Sequence, residues 1–212
     1  MSDKRLVVAL PKGRLGEDTL RILKKHGYAK NIPDKTRRLV LEDGAQPVSY
    51  LFVKPVDVVT YVEQGVADLG IIGLDSLLES GADVYTLANL NFGHCRFAVA
   101  GLSKDTQKQA AKTWRIATKY PRVTAQYFAQ TNRSVDIIKL NGSVELAPLV
   151  GLCDAIVDIV ETGSTLKANG LEIIEEMFPI SARLIANRAS YRLKYDLIQK
   201  LVHTLDEESE VV

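Results

Sequence analysis

The sequence has few of the residues that build metal sites or disulfide frameworks. It contains two cysteines and three histidines, and Cys95 and Cys153 are far apart with no CxxC spacing. No HExxH motif and no local grouping of serine, histidine and aspartate occurs. We therefore expect both cysteines to be buried small hydrophobic residues, and the sequence offers no argument for metal-dependent hydrolysis or a nucleophilic triad.

Charge of one sign and long apolar runs are also lacking. The formal net charge is +1, so no overall field attracts nucleic acid or a membrane surface. No apolar run approaches the roughly 18 residues that a membrane span needs, and the apolar stretch near the N-terminus is too short for a secretory signal. These absences favour a cytoplasmic protein in which local groups hold any anionic ligand.

Strand-like and helix-like segments alternate along the chain, which is typical of an α/β fold. Strands are expected at 5–10, 67–75, 95–101, 115–120, 135–140 and 155–160, a hairpin at 37–43 and 48–54, and helices at 17–27, 55–65, 105–113 and 123–131. These strands are too many for one small sheet. We therefore predict two α/β lobes with mainly parallel sheets and a ligand-binding cleft between them. Lobe I is expected to comprise 1–91 and 180–212, with a last amphipathic helix packed on it, and lobe II to comprise 92–179.

The stretch DAIVDIVETGSTLKANG, residues 154–170, carries the strongest sign of a binding site. A buried strand ends in a turn of Thr162, Gly163, Ser164 and Thr165. Backbone N–H groups and hydroxyls at such a turn, before a helix, suit a phosphate group. Asp154 and Asp158 precede the turn and suit ribose hydroxyls or a magnesium ion. The alternative interpretation is that the hydroxyls only cap the short helix.

Two further loops follow predicted strands. In LPKGRLGED, Lys12 and Arg14 flank Gly13, and two cations at the end of a strand suit a polyphosphate, although a solvated basic turn would look the same. In NGSVE, Gly142 and Ser143 could form an anion-binding turn, with Glu145 in the first turn of the next helix. Neither loop is a Walker A motif.

These segments together resemble the catalytic subunit of the ATP phosphoribosyltransferase family, nearly from end to end. The resemblance rests on LPKGRL (10–15), ADLGIIG (67–73), FGHCRFAVA (92–100), RIATKYP (115–121) and ELAPLVGLCDAIVDIVETGSTL (145–166). The last segment follows the spacing of the family signature.

The resemblance implies a pentosyltransferase of histidine biosynthesis. N1 of ATP would attack the anomeric carbon of phosphoribosyl pyrophosphate, and pyrophosphate would leave with magnesium bound chiefly through substrate oxygens rather than protein side chains. The implied catalytic residues are Arg14, Arg96 and Asp154. Phosphoribosyl pyrophosphate would be bound by Glu145, Asp154, Asp158, Thr162, Gly163, Ser164 and Thr165, and ATP by Lys12, Gly13, Arg14, Asp75, Lys119 and Tyr120.

The resemblance further implies a two-lobed fold similar to type II periplasmic binding proteins, with the active site in the cleft between the lobes. The chain ends before the regulatory domain of the long form could begin, so we expect the short form. That form works in a hetero-oligomer with a regulatory subunit similar to histidyl-tRNA synthetase, around a dimer of catalytic subunits. The alternatives are a non-catalytic two-lobed ligand-binding protein and a different phosphoribosyltransferase; the usual members of the latter class carry adjacent acidic residues before the phosphate loop.

Overall fold

The computed structural model describes residues 5–33, 36–102 and 113–206. The chain folds into two compact units: unit 1 runs to Gly93 and resumes at Ser181, and unit 2 runs from His94 to Ile180. The expected lobe bounds lie within two residues of this division. Apart from residue 113, the helix expected at 105–113 lies outside the described residues. In the described ranges, no helix combines the length and apolar character needed to cross a membrane.

Eleven strands and eight helices are formed by the described residues. The strands are β1 (Leu6–Pro11), β2 (Val40–Glu42), β3 (Val48–Val53), β4 (Leu69–Gly73), β5 (Tyr85–Asn89), β6 (Cys95–Leu102), β7 (Trp114–Thr118), β8 (Val135–Lys139), β9 (Ala155–Val160), β10 (Leu171–Ile180) and β11 (Ala182–Ala186). The helices are α1 (Arg14–Lys25), α2 (Val58–Glu63), α3 (Leu74–Ser80), α4 (Pro121–Gln130), α5 (Leu146–Leu149), α6 (Ser164–Ala168), α7 (Arg188–Leu193) and α8 (Tyr195–Asp206), and a 3₁₀ turn at Pro55–Asp57 precedes α2.

The sheet of unit 1 has the strand order β2-β3-β1-β4-β11-β5. Strand β1 is parallel to β3 and β4, whereas β11 runs antiparallel between β4 and β5. The hairpin of β2 and β3 is confirmed. The sheet is mixed: β1, β3, β4 and β5 run in one direction, and β2 and β11 run in the other.

Both faces of the unit 1 sheet are covered by helices. Leu10 and Leu69 on one face belong to the same core cluster as Leu23 of α1 and Leu201 of α8. The expected packing of the last helix on lobe I is therefore confirmed. The helix is interrupted between α7 and α8 at Lys194, whose backbone is not helical (φ −122°).

The sheet of unit 2 has the order β10-β6-β9-β7-β8. Strands β9, β7 and β8 are parallel, while β6 is antiparallel to both β9 and β10, so this sheet is mixed as well. Cys153 lies in its core, where burial raises the pKa of the thiol. Cys95 is only partly buried, contrary to expectation. The parallel strands β7, β8 and β9 end at one edge of the sheet, and the loops that follow them meet there.

Candidate active site

One edge of the unit 2 sheet gathers most of the predicted substrate contacts in that unit. Lys119 follows β7, Glu145 lies in the loop after β8, and the turn 162–165 follows β9. Arg96, near the start of β6, pairs with Val160 at the end of β9. Because β7 and β9 are adjacent strands, these loops are neighbours, as the carboxyl ends of parallel strands should be.

The turn of hydroxyl residues after β9 is exposed, and its own residues are joined by hydrogen bonds. The N–H of Ser164 donates to Thr162 Oγ1 at 3.3 Å, and Thr162 Oγ1 donates to Ser164 Oγ at 3.1 Å. Gly163 has φ 76°, which favours glycine, whereas an added Cβ would meet only Val160 Cγ1 at 3.7 Å. Thr162, Ser164 and Thr165 are all exposed, and Gly163 between them is half-buried. Accessible hydroxyls on a turn of fixed shape are suited to binding a phosphate.

Arg96 is held beside this turn by two contacts. Its Nη1 donates to the carbonyl oxygen of Glu161, the residue before Thr162, at 3.4 Å. Its Nε lies 2.8 Å from Glu176 Oε1, but within the described residues this N–H makes no aligned hydrogen bond, so the contact is an ion pair only. The sequence did not point to Glu176, which lies on β10 and reaches Arg96 only through the antiparallel pairing of β10 with β6.

The two aspartates of the signature lie at opposite ends of β9. Asp158 is near the carboxyl end, and its Oδ1 accepts the N–H of Ile159 at 2.8 Å. Asp154 precedes the strand; its Oδ2 accepts the N–H of Arg115 at 2.9 Å and its Oδ1 accepts Nη2 of Arg115 at 3.0 Å. This hydrogen bonding raises the pKa of the Arg115 guanidinium.

That separation changes the interpretation of Asp154. At about 3.3 Å per residue, roughly 13 Å of strand separates Asp154 from Asp158, and the hydroxyl turn is farther still. Contrary to the expected catalytic and substrate-binding role, the structure places Asp154 away from the turn, where its carboxylate and N–H fasten the start of β9 to Arg115 of β7.

Lys119 and Tyr120 follow β7 but differ in accessibility. Lys119 is exposed, and its Nζ lies 5.7 Å from the centroid of the Tyr120 ring. Tyr120 is only 4% exposed, and its ring packs edge-on against Phe97 at 5.0 Å. Lys119 is accessible to a ligand, whereas Tyr120 packs in the core of unit 2, and the contact of each with ATP stays a prediction.

In unit 1, the predicted ATP contacts also lie at one edge of a sheet. The loop of Lys12, Gly13 and Arg14 joins β1 to α1, and the N–H of Lys12 donates to the carbonyl of Val53 at the end of β3. Lys12 and Arg14 are exposed. Asp75 lies in the first turn of α3, after β4, which is the other parallel neighbour of β1.

A cavity of about 230 Å³ lies beside this loop, within unit 1. It is lined by Pro11, Lys12, Gly13, Gly16, Glu17, Leu20, Thr36 and Phe52. A Cβ on Gly16 would come within 1.9 Å of the Pro11 carbonyl oxygen, so α1 can approach the end of β1 only with glycine here. The sequence did not reveal this role of Gly16, because the helix was expected to begin only at residue 17, whereas it begins at Arg14. Two exposed cations beside a cavity suit a phosphorylated ligand.

Comparisons with known proteins agree with these features. Residues 54–207 match the family model described as HisG, ATP phosphoribosyltransferase. A protein of Clostridioides difficile named ATP phosphoribosyltransferase is 53% identical over 202 residues, which cover 95% of this chain and 97% of the relative. A protein of the same name from a Thermoanaerobacter species is 48% identical over 208 residues, 98% of this chain and 97% of the relative.

A solved structure shares the fold. The chain from the ATP phosphoribosyl transferase (HisG:HisZ) complex of Thermotoga maritima is 38% identical, with a TM-score of 0.78 and coverage of 96% of this chain and 98% of that one. The predicted two-lobed α/β fold, similar to type II periplasmic binding proteins, is therefore confirmed. With close relatives matched over almost their full length, the chain belongs to the ATP phosphoribosyltransferase family.

Proposed function

We propose that this chain transfers the phosphoribosyl group of phosphoribosyl pyrophosphate to N1 of ATP and releases pyrophosphate, the first step of histidine biosynthesis. The observation that carries this function is the match to named enzymes over 95% or more of the chain. The same match disfavours a non-catalytic two-lobed binding protein. The reaction needs no enzyme nucleophile, because the adenine nitrogen attacks directly.

Catalysis then depends on positioning and electrostatics. Positive charge develops on the ribose ring while negative charge grows on the departing pyrophosphate, and fixed polar groups stabilise both. In unit 2, the hydroxyls of Thr162, Ser164 and Thr165 bind the 5-phosphate, and Asp158 accepts hydrogen bonds from the ribose hydroxyls. Support comes from the accessibility of the turn and from Arg96, which is bound to the carbonyl of the residue before it.

The remaining cations bind the polyphosphate groups. Lys12 and Arg14 of unit 1 contact the ATP triphosphate or the leaving pyrophosphate, and Lys119 of unit 2 contacts ATP. Their exposure supports this role, since a guanidinium can bind phosphate oxygens in pairs and an ammonium adds a compact charge.

Magnesium would enter with the substrates. Among residues 5–33, 36–102 and 113–206, no group of three or more His, Cys, Asp or Glu side chains is placed to hold a metal ion. We propose that the ion is bound chiefly through substrate oxygens. Such an ion would supply positive charge to the leaving pyrophosphate.

A regulatory partner is also part of the proposal. The solved structure from Thermotoga maritima is a HisG:HisZ complex, and we infer that this chain forms a cytoplasmic hetero-oligomer with a HisZ-like subunit. Co-expression of the two chains, followed by affinity purification and mass measurement, tests this. Recovery of a stoichiometric complex is expected, and two chains that never co-purify would contradict it.

The activity is tested by mixing the chain, alone and with its HisZ-like partner, with ATP, phosphoribosyl pyrophosphate and magnesium. We expect the ultraviolet change of N1-substituted adenine; its absence in both preparations would contradict the function. Thr165→Val should raise the KM for phosphoribosyl pyrophosphate about 10-fold, the effect of losing one hydrogen bond to a charged group. The matched control is Thr131→Val, an exposed threonine at the end of α4. An unchanged KM for Thr165→Val would remove the turn from the site.

A further inference from the structure

A fully buried hydroxyl lies directly behind the loop that carries Lys119. Thr118, the last residue of β7, is 0% exposed. Its Oγ1 donates to the carbonyl of Val157 on β9 at 2.7 Å and accepts the N–H of Tyr120 at 2.9 Å. One hydroxyl therefore satisfies a carbonyl of β9 and the first N–H after Lys119, two buried backbone groups.

These two bonds determine where β7 leaves the sheet. Thr118 pairs with Val157 in the parallel register, so the next residue along each strand is Lys119 on one side and Asp158 on the other. Adjacent strands are about 4.8 Å apart, which brings the two backbones close together. The side chain of Thr118 bridges the strands just before Asp158 and ties the amide of Tyr120 to the same point.

The rest of the turn is anchored by Thr124, whose Oγ1 also lies 3.4 Å from Thr118 Oγ1. A hydroxyl has one proton to donate, and that of Thr124 goes to the nearer carbonyl of Tyr120. Thr124 Oγ1 donates to the carbonyl of Tyr120 at 2.7 Å, and the N–H of Thr124 donates to the same carbonyl at 3.0 Å. That carbonyl keeps a backbone partner without the Thr124 hydroxyl. The carbonyl of Val157 and the N–H of Tyr120, by contrast, both depend on the hydroxyl of Thr118 for the bonds described here.

We propose that Thr118 is a positioning residue for substrate binding, whose hydroxyl fixes the turn that presents Lys119 beside Asp158 and the end of β9. This inference rests on the proposed function, because it takes Lys119 as a contact of ATP. Thr118 itself is buried and acts only through the turn. The sequence gives no signal for this role, since a threonine in a strand is ordinary.

The test compares Thr118→Val, which keeps the shape and removes the hydroxyl, with Thr118→Ser, which keeps the hydroxyl. Thr118→Val should raise the KM for ATP and lower kcat/KM about 10-fold or more, because small displacements of a binding group are costly. Thr118→Ser should restore near-wild-type kinetics. Thr124→Val is the matched control: an equally buried hydroxyl is lost, and the KM for ATP should stay within about two-fold.

A double-mutant cycle with Lys119→Ala separates positioning from general loss of structure. If Thr118 acts through Lys119, Thr118→Val should have little further effect on the KM for ATP in the Lys119→Ala background. A full additional effect there, or equal losses in Thr118→Ser and Thr118→Val, would overturn the proposal. Should Thr118→Val fail to fold, Thr118→Ala makes the same comparison. If the wild-type enzyme is active but Lys119→Ala leaves the KM for ATP unchanged, only this inference is overturned. If the wild-type chain is inactive even with its partner, the proposed function is overturned.

Discussion

Replacement of Lys194 by methionine tests how α7 and α8 are held to the sheet of unit 1. Lys194 Nζ lies 2.8 Å from Asp68 Oδ2 and donates to the carbonyl of Arg5 at 2.9 Å. The side chains of Lys194 and Asp68 are 16% and 6% exposed, so the ion pair is largely removed from water. Loss of one partner from a buried pair leaves an uncompensated charge and costs about 3–5 kcal/mol in the free energy of unfolding.

The size of the effect follows from what remains in the variant. Asp68 Oδ2 keeps the N–H of Val7, at 2.8 Å, as a donor. Methionine replaces the aliphatic part of the lysine, so most of the packing is retained. At about 2–4 °C per kcal/mol for chains of 150–250 residues, the melting temperature should fall by roughly 6–20 °C.

Thermal unfolding followed by circular dichroism measures this change. The matched control is Lys200→Met, at an exposed position on α8, for which we expect less than about 0.5 kcal/mol. Adding Asp68→Asn to Lys194→Met removes the unpaired charge, so the double variant should be destabilised by less than the sum of the single changes. A loss below about 1 kcal/mol in Lys194→Met would refute the reasoning.

Two further predictions concern unit 2. Asp154→Asn should lower the melting temperature, because Arg115 loses its carboxylate partner, and should leave the KM for phosphoribosyl pyrophosphate unchanged. Asp158→Asn should raise that KM about 10-fold with little loss of stability. An equal rise in KM in both variants would contradict these different roles of Asp154 and Asp158. The hydrogen bond from Arg133 lowers the pKa of Glu175 below its ordinary value of 4.5, so its contribution to stability is present above pH 4.5 and is lost as the pH falls through the folded-state pKa. Glu175→Gln should therefore flatten the fall in urea midpoint that begins as the pH drops below about 4.5, and an unchanged fall would show that this pair does not cause it.

The buried strands could be located from sequence because each is a short apolar run between turn residues. Strands β1, β6 and β9 lie within one residue of their expected bounds. The turn 162–165 and the loop 12–14 follow strands as expected, since glycine and hydroxyl or basic residues mark where an apolar run ends. Strand β5, from Tyr85 to Asn89, was not expected, because Thr86 and Asn89 leave no continuous apolar run that would reveal it.

The partners of polar side chains could not be read in the same way. Asp154 and Asp158 are four residues apart and equivalent in the pattern of a strand, and only the parallel pairing of β7 with β9 brings Arg115 to Asp154. Tyr120 is adjacent to an exposed lysine, and only its packing against Phe97 shows that it is buried.

The family, the two α/β units and the segments that carry the hydroxyl turn and the basic loop could all be recognised in the sequence, because short-range patterns of apolar residues and glycine encode strands and their ends. The mixed direction of both sheets, the structural place of Asp154 and the bridge made by Thr118 became visible only in the folded chain. Each of these depends on which strands pair and in which register, and pairing joins residues as distant in sequence as Leu69 and Ala186, beyond the reach of any local pattern.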